Sequence, residues 1–108
     1  MKHIIDSNSK TLTLQFPGDV LSTNAEVLRQ EAVATLESPA MKASDWQTLK
    51  LDLSSAKMID SVGLNLIVSL IKTAKSRSAK VVGLISNPSV QRALVFTRLN
   101  TQMDLVMV

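Results

Sequence analysis

Apolar positions along the chain change their period several times, and each change marks an element. Leu12, Leu14 and Phe16 alternate with Thr11, Thr13 and Gln15. That period of two predicts a half-buried strand. Lys2 to Asp6 reads as a short strand, closed by the turn-prone Ser7-Asn8-Ser9 and hairpinned to the next. Pro17-Gly18-Asp19 breaks the pattern. Ala25, Leu28, Ala32 and Leu36 then recur at helical spacing. This helix begins near Ser22 or Thr23, where Thr23 and Glu26 have the spacing of a capping box. Ser38-Pro39 closes it, and Pro39 to Asp45 reads as a mobile loop.

The second half repeats the alternation of strand and helix. Trp46 to Leu53 is a strand with Leu49, Leu51 and Leu53 directed inward. From Ser61 to Arg77 the polar residues Asn65, Ser69, Lys72, Thr73 and Ser76 gather on one side of a helical wheel, and apolar residues fill the rest. A helix with so wide an apolar face packs flat on a sheet. Val81 to Ile85 is continuously apolar, as expected of a strand covered on both faces. Ser86-Asn87-Pro88-Ser89 turns into a third helix, about Ser89 to Leu99, with Val90, Leu94 and Leu99 facing inward. Met103 to Val108 is left for an edge strand. Helical crossovers between strands predict an α/β fold. We expect one domain over residues 1–108: a mixed, mainly parallel sheet of four to five strands packed against three or more helices.

Composition narrows the class. Of the 108 residues, 45% are hydrophobic but only 3% aromatic, so the core must be aliphatic. There is no Cys, hence neither a disulfide framework nor a thiol metal site. Met1 to Asp6 lacks the apolar stretch of a signal peptide, and no apolar run approaches the roughly 20 residues that span a bilayer. The expectation is a soluble cytoplasmic protein without membrane insertion. The net charge of +3 is unevenly spread: residues 1–56 carry −2 and residues 57–108 carry +5. The plain reading is a solvated basic face. The sharper one is a surface for an acidic partner or an anionic lipid head. Basic residues are not interleaved with aromatics and no nucleic-acid motif is present, so nucleic acid is not expected as a partner.

Candidate chemistry centres on Ala56 to Leu66, between the strand ending at Leu53 and the long helix. Asp60 and Ser61 form a small polar pair at that junction, and such junctions are exposed and often functional. Ser61 reads as a helix N-cap. A hydroxyl there also faces unpaired N–H groups and the positive end of the helix dipole, which suits an attached phosphate. Asp60 either satisfies helix-start N–H groups or orients the hydroxyl. Gly63 serves close packing or the backbone approach of a partner, since Gly this early weakens a helix. Ser54 and Ser55 read as turn residues, and Val62 as an exposed apolar contact. His3, the only His, has no second His, Cys or carboxylate cluster at metal-ligand spacing. No triad can be assembled around Ser61, and no phosphate-cradling Gly-rich loop exists among only 3 Gly. The residues point to no enzyme activity, no metal and no cofactor.

The run Leu51-Asp52-Leu53-Ser54 followed by Ile59-Asp60-Ser61-Val62-Gly63-Leu64 resembles the signature of the STAS domain, the fold of bacterial anti-sigma factor antagonists that also occurs as a module of sulfate transporters. Gly18 before the first helix and Asn87-Pro88-Ser89-Val90 before the third add to the likeness, which covers nearly the whole chain. Many antagonists carry an acidic residue three places after that glycine; here the place holds Leu21, while Asp19 lies beside the glycine.

The resemblance implies that Ser61 is phosphorylated by a partner that is both serine kinase and anti-sigma factor, and that a PP2C-type phosphatase reverses the mark. Partner contacts are then expected at Asp60, Val62, Gly63, Asn65, Ser54, Asp19 and Ser22. The expected function is an anti-sigma factor antagonist, monomeric or weakly dimeric, that holds its partner while Ser61 is unmodified. The alternative is a STAS subunit of a membrane lipid transporter of the ABC type, docked on its ATPase.

Overall fold

The computed structural model describes residues 1–108. Five strands form one sheet: β1 (Lys2–Asp6), β2 (Thr11–Gln15), β3 (Thr48–Leu53), β4 (Lys80–Ile85) and β5 (Asp104–Met107). Their spatial order is β1-β2-β3-β4-β5; β1 and β2 are antiparallel and every later pair is parallel. Four helices fill the connections: α1 (Ala25–Leu36), α2 (Pro39–Ala43), α3 (Ser61–Ser76) and α4 (Pro88–Phe96). This is the mixed, mainly parallel α/β sheet that the sequence predicts.

The connections decide where the core lies. From β2 onward each crossover moves one strand further in the same direction. Right-handed crossovers in such a sequence place all their helices on one face. The register agrees: Leu12, Leu49 and Val81 stand side by side, as do Leu14, Leu51 and Gly83, and all are buried. The four leucines and Val81 join a core of 24 residues that includes Leu28, Leu66, Ile67, Leu70, Val90 and Leu94 from the helices. The opposite face carries Thr13, Lys50 and Val82 in one row and is only partly covered. β4 is therefore not sandwiched as expected. Val81, Gly83 and Ile85 are buried, while Val82 and Leu84 lie half-buried on the open face.

Local signals explain most boundaries, and three of them differ from the expectation. The predicted inward stripe of α1 is buried at Ala25, Leu28, Ala32 and Leu36. Thr23 and Glu26 form no capping box, however, because Asn24 occupies the N-cap position without a side-chain cap bond. Its side chain is spent on the loop instead, accepting from the Leu21 N–H at 2.9 Å and donating to the Asp19 carbonyl at 2.8 Å. Segment 39–45, expected as a loop, contains α2. Ser38 caps it by accepting from the Met41 N–H at 3.3 Å, and Pro39 occupies the first turn, where its missing N–H costs nothing. The same Ser-Pro pair ends one helix and begins the next.

α4 begins at Pro88 beneath an Asn87 cap and stops at Phe96, earlier than predicted. Arg98 then adopts φ 62°, and a short 3-10 turn, Leu99–Thr101, swings Leu99 into the core.

Candidate functional site

In a parallel sheet the strands all end on one side, so the loops after β2 and β3 emerge together. Here they are laced to each other. Val20 and Ile59 form an isolated parallel bridge, with the Val20 N–H donating to the Met58 carbonyl at 3.2 Å and the Asp60 N–H donating to the Val20 carbonyl at 3.3 Å. Two carboxylates tighten the junction. One oxygen of Asp19 accepts the Lys57 and Met58 N–H groups at 2.7 and 3.1 Å. Asp60 accepts the Gly63 N–H at 2.9 Å through Oδ1 and the Ser22 N–H at 2.7 Å through Oδ2.

Asp60, not Ser61, is thus the N-cap of α3. A carboxylate at that position satisfies an unpaired helix N–H and meets the positive end of the dipole. The Gly63 N–H first, then the Ser22 N–H, hold its pKa below the usual aspartate range. Ser61 occupies the first helical position with its side chain exposed. The cap is supplied by its neighbour, so the Ser61 hydroxyl is not needed to hold the helix.

Gly63 has a use inside the molecule. It is buried, and a Cβ built there would lie 2.2 Å from the Val20 carbonyl oxygen and 2.9 Å from Ile59 Cγ1. The absent side chain lets the start of α3 press against the β2–α1 loop.

The remaining expected positions divide into two groups. Asp19, Ser22, Asp60, Ser61, Val62 and Asn65 belong to the platform formed by the two loops and the first turns of α3. Asp19 is committed to backbone N–H groups, whereas Ser22, Ser61, Val62 and Asn65 are exposed. Ser54 faces elsewhere: its hydroxyl donates to Asp52 at 2.6 Å, and its carbonyl accepts from the Ser86 hydroxyl of the β4–α4 turn.

Two contributions escaped the sequence. Met58 is 59% exposed and Val62 44% exposed, so apolar side chains stand on both sides of Ser61 along the chain. A cleft of about 240 Å³ also opens between α1 and α3, where Ala25, Glu26 and Arg29 face Val62 and Asn65. Met58 lies in no periodic segment, and the cleft requires two helices that are distant in sequence. Neither has a local signature.

Chemically, the platform offers a free hydroxyl at the start of α3. Asp60 precedes Ser61 in the chain, and both its oxygens accept backbone N–H groups, which makes it a poor base. No three His, Cys, Asp or Glu side chains group to hold a metal ion. No helix is long and apolar enough to cross a membrane.

The family model of the STAS domain matches residues 3–106. A comparison with curated proteins finds no match. Among solved structures, an anti-sigma factor antagonist from Mycobacterium paratuberculosis is similar with a TM-score of 0.76 at 18% identity, covering 99% of this chain and 86% of the other. The anti-sigma factor antagonist SpoIIAA in its unphosphorylated form gives 0.62 at 14% identity, covering 88% and 81%. A sulfate transporter family protein from Wolinella succinogenes gives 0.75 at 8% identity, covering 97% and 82%. At such identities these likenesses concern the fold.

Proposed function

The chain belongs to the STAS domain family, and on that footing we propose that it is an anti-sigma factor antagonist switched by phosphorylation of Ser61. Unmodified, it sequesters an anti-sigma factor that is also a serine kinase. Phosphorylated, it lets go, and a PP2C-type phosphatase restores it. The observation that carries this reading is the division of labour at the start of α3. Asp60 caps the helix, which leaves the Ser61 hydroxyl exposed and free of any structural duty.

The physics supports a change in binding, not in folding. Phosphorylation adds nearly two negative charges. At a helix N-terminus these are tolerated, with a local gain of about 0.3–1 kcal/mol. A partner packed over Ser61, Val62 and Met58 would have to bury that charge unpaired, at a cost of several kcal/mol. Each loss of about 1.4 kcal/mol weakens binding tenfold. The chain itself acts as substrate and not as enzyme: the adjacent Asp60 carboxylate is engaged by two backbone N–H groups and is a poor base for the Ser61 hydroxyl.

The test is intact-mass analysis with phosphosite mapping of protein taken from its native cells, together with identification of what co-purifies. The expected result is one phosphate on Ser61 and a serine kinase bound to the unmodified form. Absence of the mark under all growth conditions would refute the switch. The basic second half of the chain, where residues 57–108 carry +5, favours a second reading, a STAS subunit of a membrane lipid transporter. Recovery of a transporter ATPase in place of a kinase would select it.

A further inference from the structure

Phe96 is 89% exposed, one of two Phe in the chain and the most exposed of its large apolar side chains. Val95 beside it is 46% exposed. Arg92 lies one turn earlier on α4, on the same side of the helix as Phe96, and Arg98 follows in the left-handed turn. Both arginines are exposed, and neither has an ion-pair partner. Arg92 makes one polar contact, donating to the Ser89 hydroxyl at 3.3 Å. Between Asp60 and Asp104 the sequence contains no Asp or Glu and six Lys or Arg. An exposed aromatic ring thus stands among unpaired guanidinium groups in an acid-free stretch.

We infer that this end of α4 docks on an anionic lipid surface, with Phe96 and Val95 entering the headgroup boundary and Arg92 and Arg98 taking lipid phosphates. Three observations favour that occupant. Phe96 is a projecting knob, and the boundary layer of a bilayer accepts a ring without a matching pocket. Guanidinium groups bind phosphate oxygens in a bidentate fork. A second copy is disfavoured, because a two-fold contact through Phe96 would set Arg92 and Arg98 near their own counterparts.

Topology keeps this surface apart from the Ser61 platform. α4 starts where β4 ends, on the side of the sheet where α3 also starts, and it runs back toward the opposite side. A domain anchored through Phe96 still presents Ser61 to a partner. The inference goes beyond the switch and does not depend on it.

The test is co-sedimentation of the full chain with vesicles of phosphatidylcholine alone and of phosphatidylcholine mixed with phosphatidylglycerol, at low and high salt. Binding is expected only to the mixed vesicles and is expected to weaken with salt. Phe96→Ser should reduce it about tenfold, with an unchanged Tm because the ring is exposed. Arg92→Gln with Arg98→Gln should reduce it about 25-fold, each arginine contributing about fivefold near an anionic surface. Removing the same charge elsewhere, with Lys2→Gln and Lys42→Gln, should have a smaller effect. Ser61→Ala should bind like wild type.

The inference falls if mixed vesicles do not sediment the protein, or if the two lysine substitutions weaken binding as much as the two arginine ones. It also falls if Phe96→Ser leaves lipid binding intact while abolishing self-association or capture of an acidic protein.

Discussion

Asp60 and Ser22, 38 residues apart in sequence, are joined by a 2.7 Å hydrogen bond from the Ser22 N–H to the Asp60 carboxylate. The same carboxylate caps α3 through Gly63. One side chain therefore holds both the start of the helix that carries Ser61 and the loop that faces it.

Replacing Asp60 and replacing Ser61 should have separable consequences. Asp60→Ala removes the cap and leaves the Ser22 N–H without its acceptor, so Tm falls and amide exchange at Ser22 and Gly63 quickens. Ser61→Ala removes a side chain that does not cap the helix, so Tm should scarcely move. Thermal melts and hydrogen exchange of the two variants check this. An equal loss in both would show that Ser61 has a structural role.

The acid limb of stability should report Asp60. Its folded pKa is lowered by the Gly63 and Ser22 N–H groups, and that of Asp6 is lowered by the N–H groups of Ser9 and Asn8. A carboxylate whose pKa is depressed by folding stabilises the folded state above its unfolded pKa, about 3.9 for Asp. That contribution is lost as pH falls through the folded value. Stability should therefore hold level above about pH 5 and decline below about pH 4. In Asp60→Asn the decline should be shallower, as measured by denaturant melts across that range.

Gly63 and Gly83 should differ in how well they tolerate an added methyl group. In Gly63→Ala the new carbon meets a backbone carbonyl at 2.2 Å, which can yield only if the β2–α1 loop moves. Overpacking of this kind costs about 1–3 kcal/mol. In Gly83→Ala the nearest atom is the terminal methyl carbon of Met103, at 2.5 Å, the end of a flexible side chain. Gly83→Ala should lie within about 1 kcal/mol of wild type, and denaturant midpoints decide the matter.

Arg77 should prove to be the fastener of α2. Its guanidinium lies 3.9 Å from the Trp46 ring centroid and donates to the Met41 and Ser44 carbonyls at 3.3 and 2.6 Å. Arg77→Lys keeps the charge but loses the planar fork, so it should destabilise by about 1–2 kcal/mol. Exchange of the amides in 39–46 should quicken before that of the sheet. Unchanged protection there would contradict the assignment.

Much of this architecture is written in short-range pattern. Leu12, Leu14 and Phe16 on β2, Leu49, Leu51 and Leu53 on β3, and the stripe of α1 declare their buried faces through periods of two and 3.6, because side-chain direction follows from backbone geometry alone. The exposed position of Ser61 at a strand-to-helix junction is equally local. Other features depend on which segments meet. Whether Asp60 or Ser61 caps α3 turned on one carboxylate also finding the Ser22 N–H across the junction. The need for glycine at 63 comes from the carbonyl of Val20, and the open face of β4 comes from the direction in which successive strands were added. Periodicity in the chain determined what each segment buries. Only the tertiary arrangement decided what each segment is buried against, because contacts between residues distant in sequence leave no imprint on either one's neighbours.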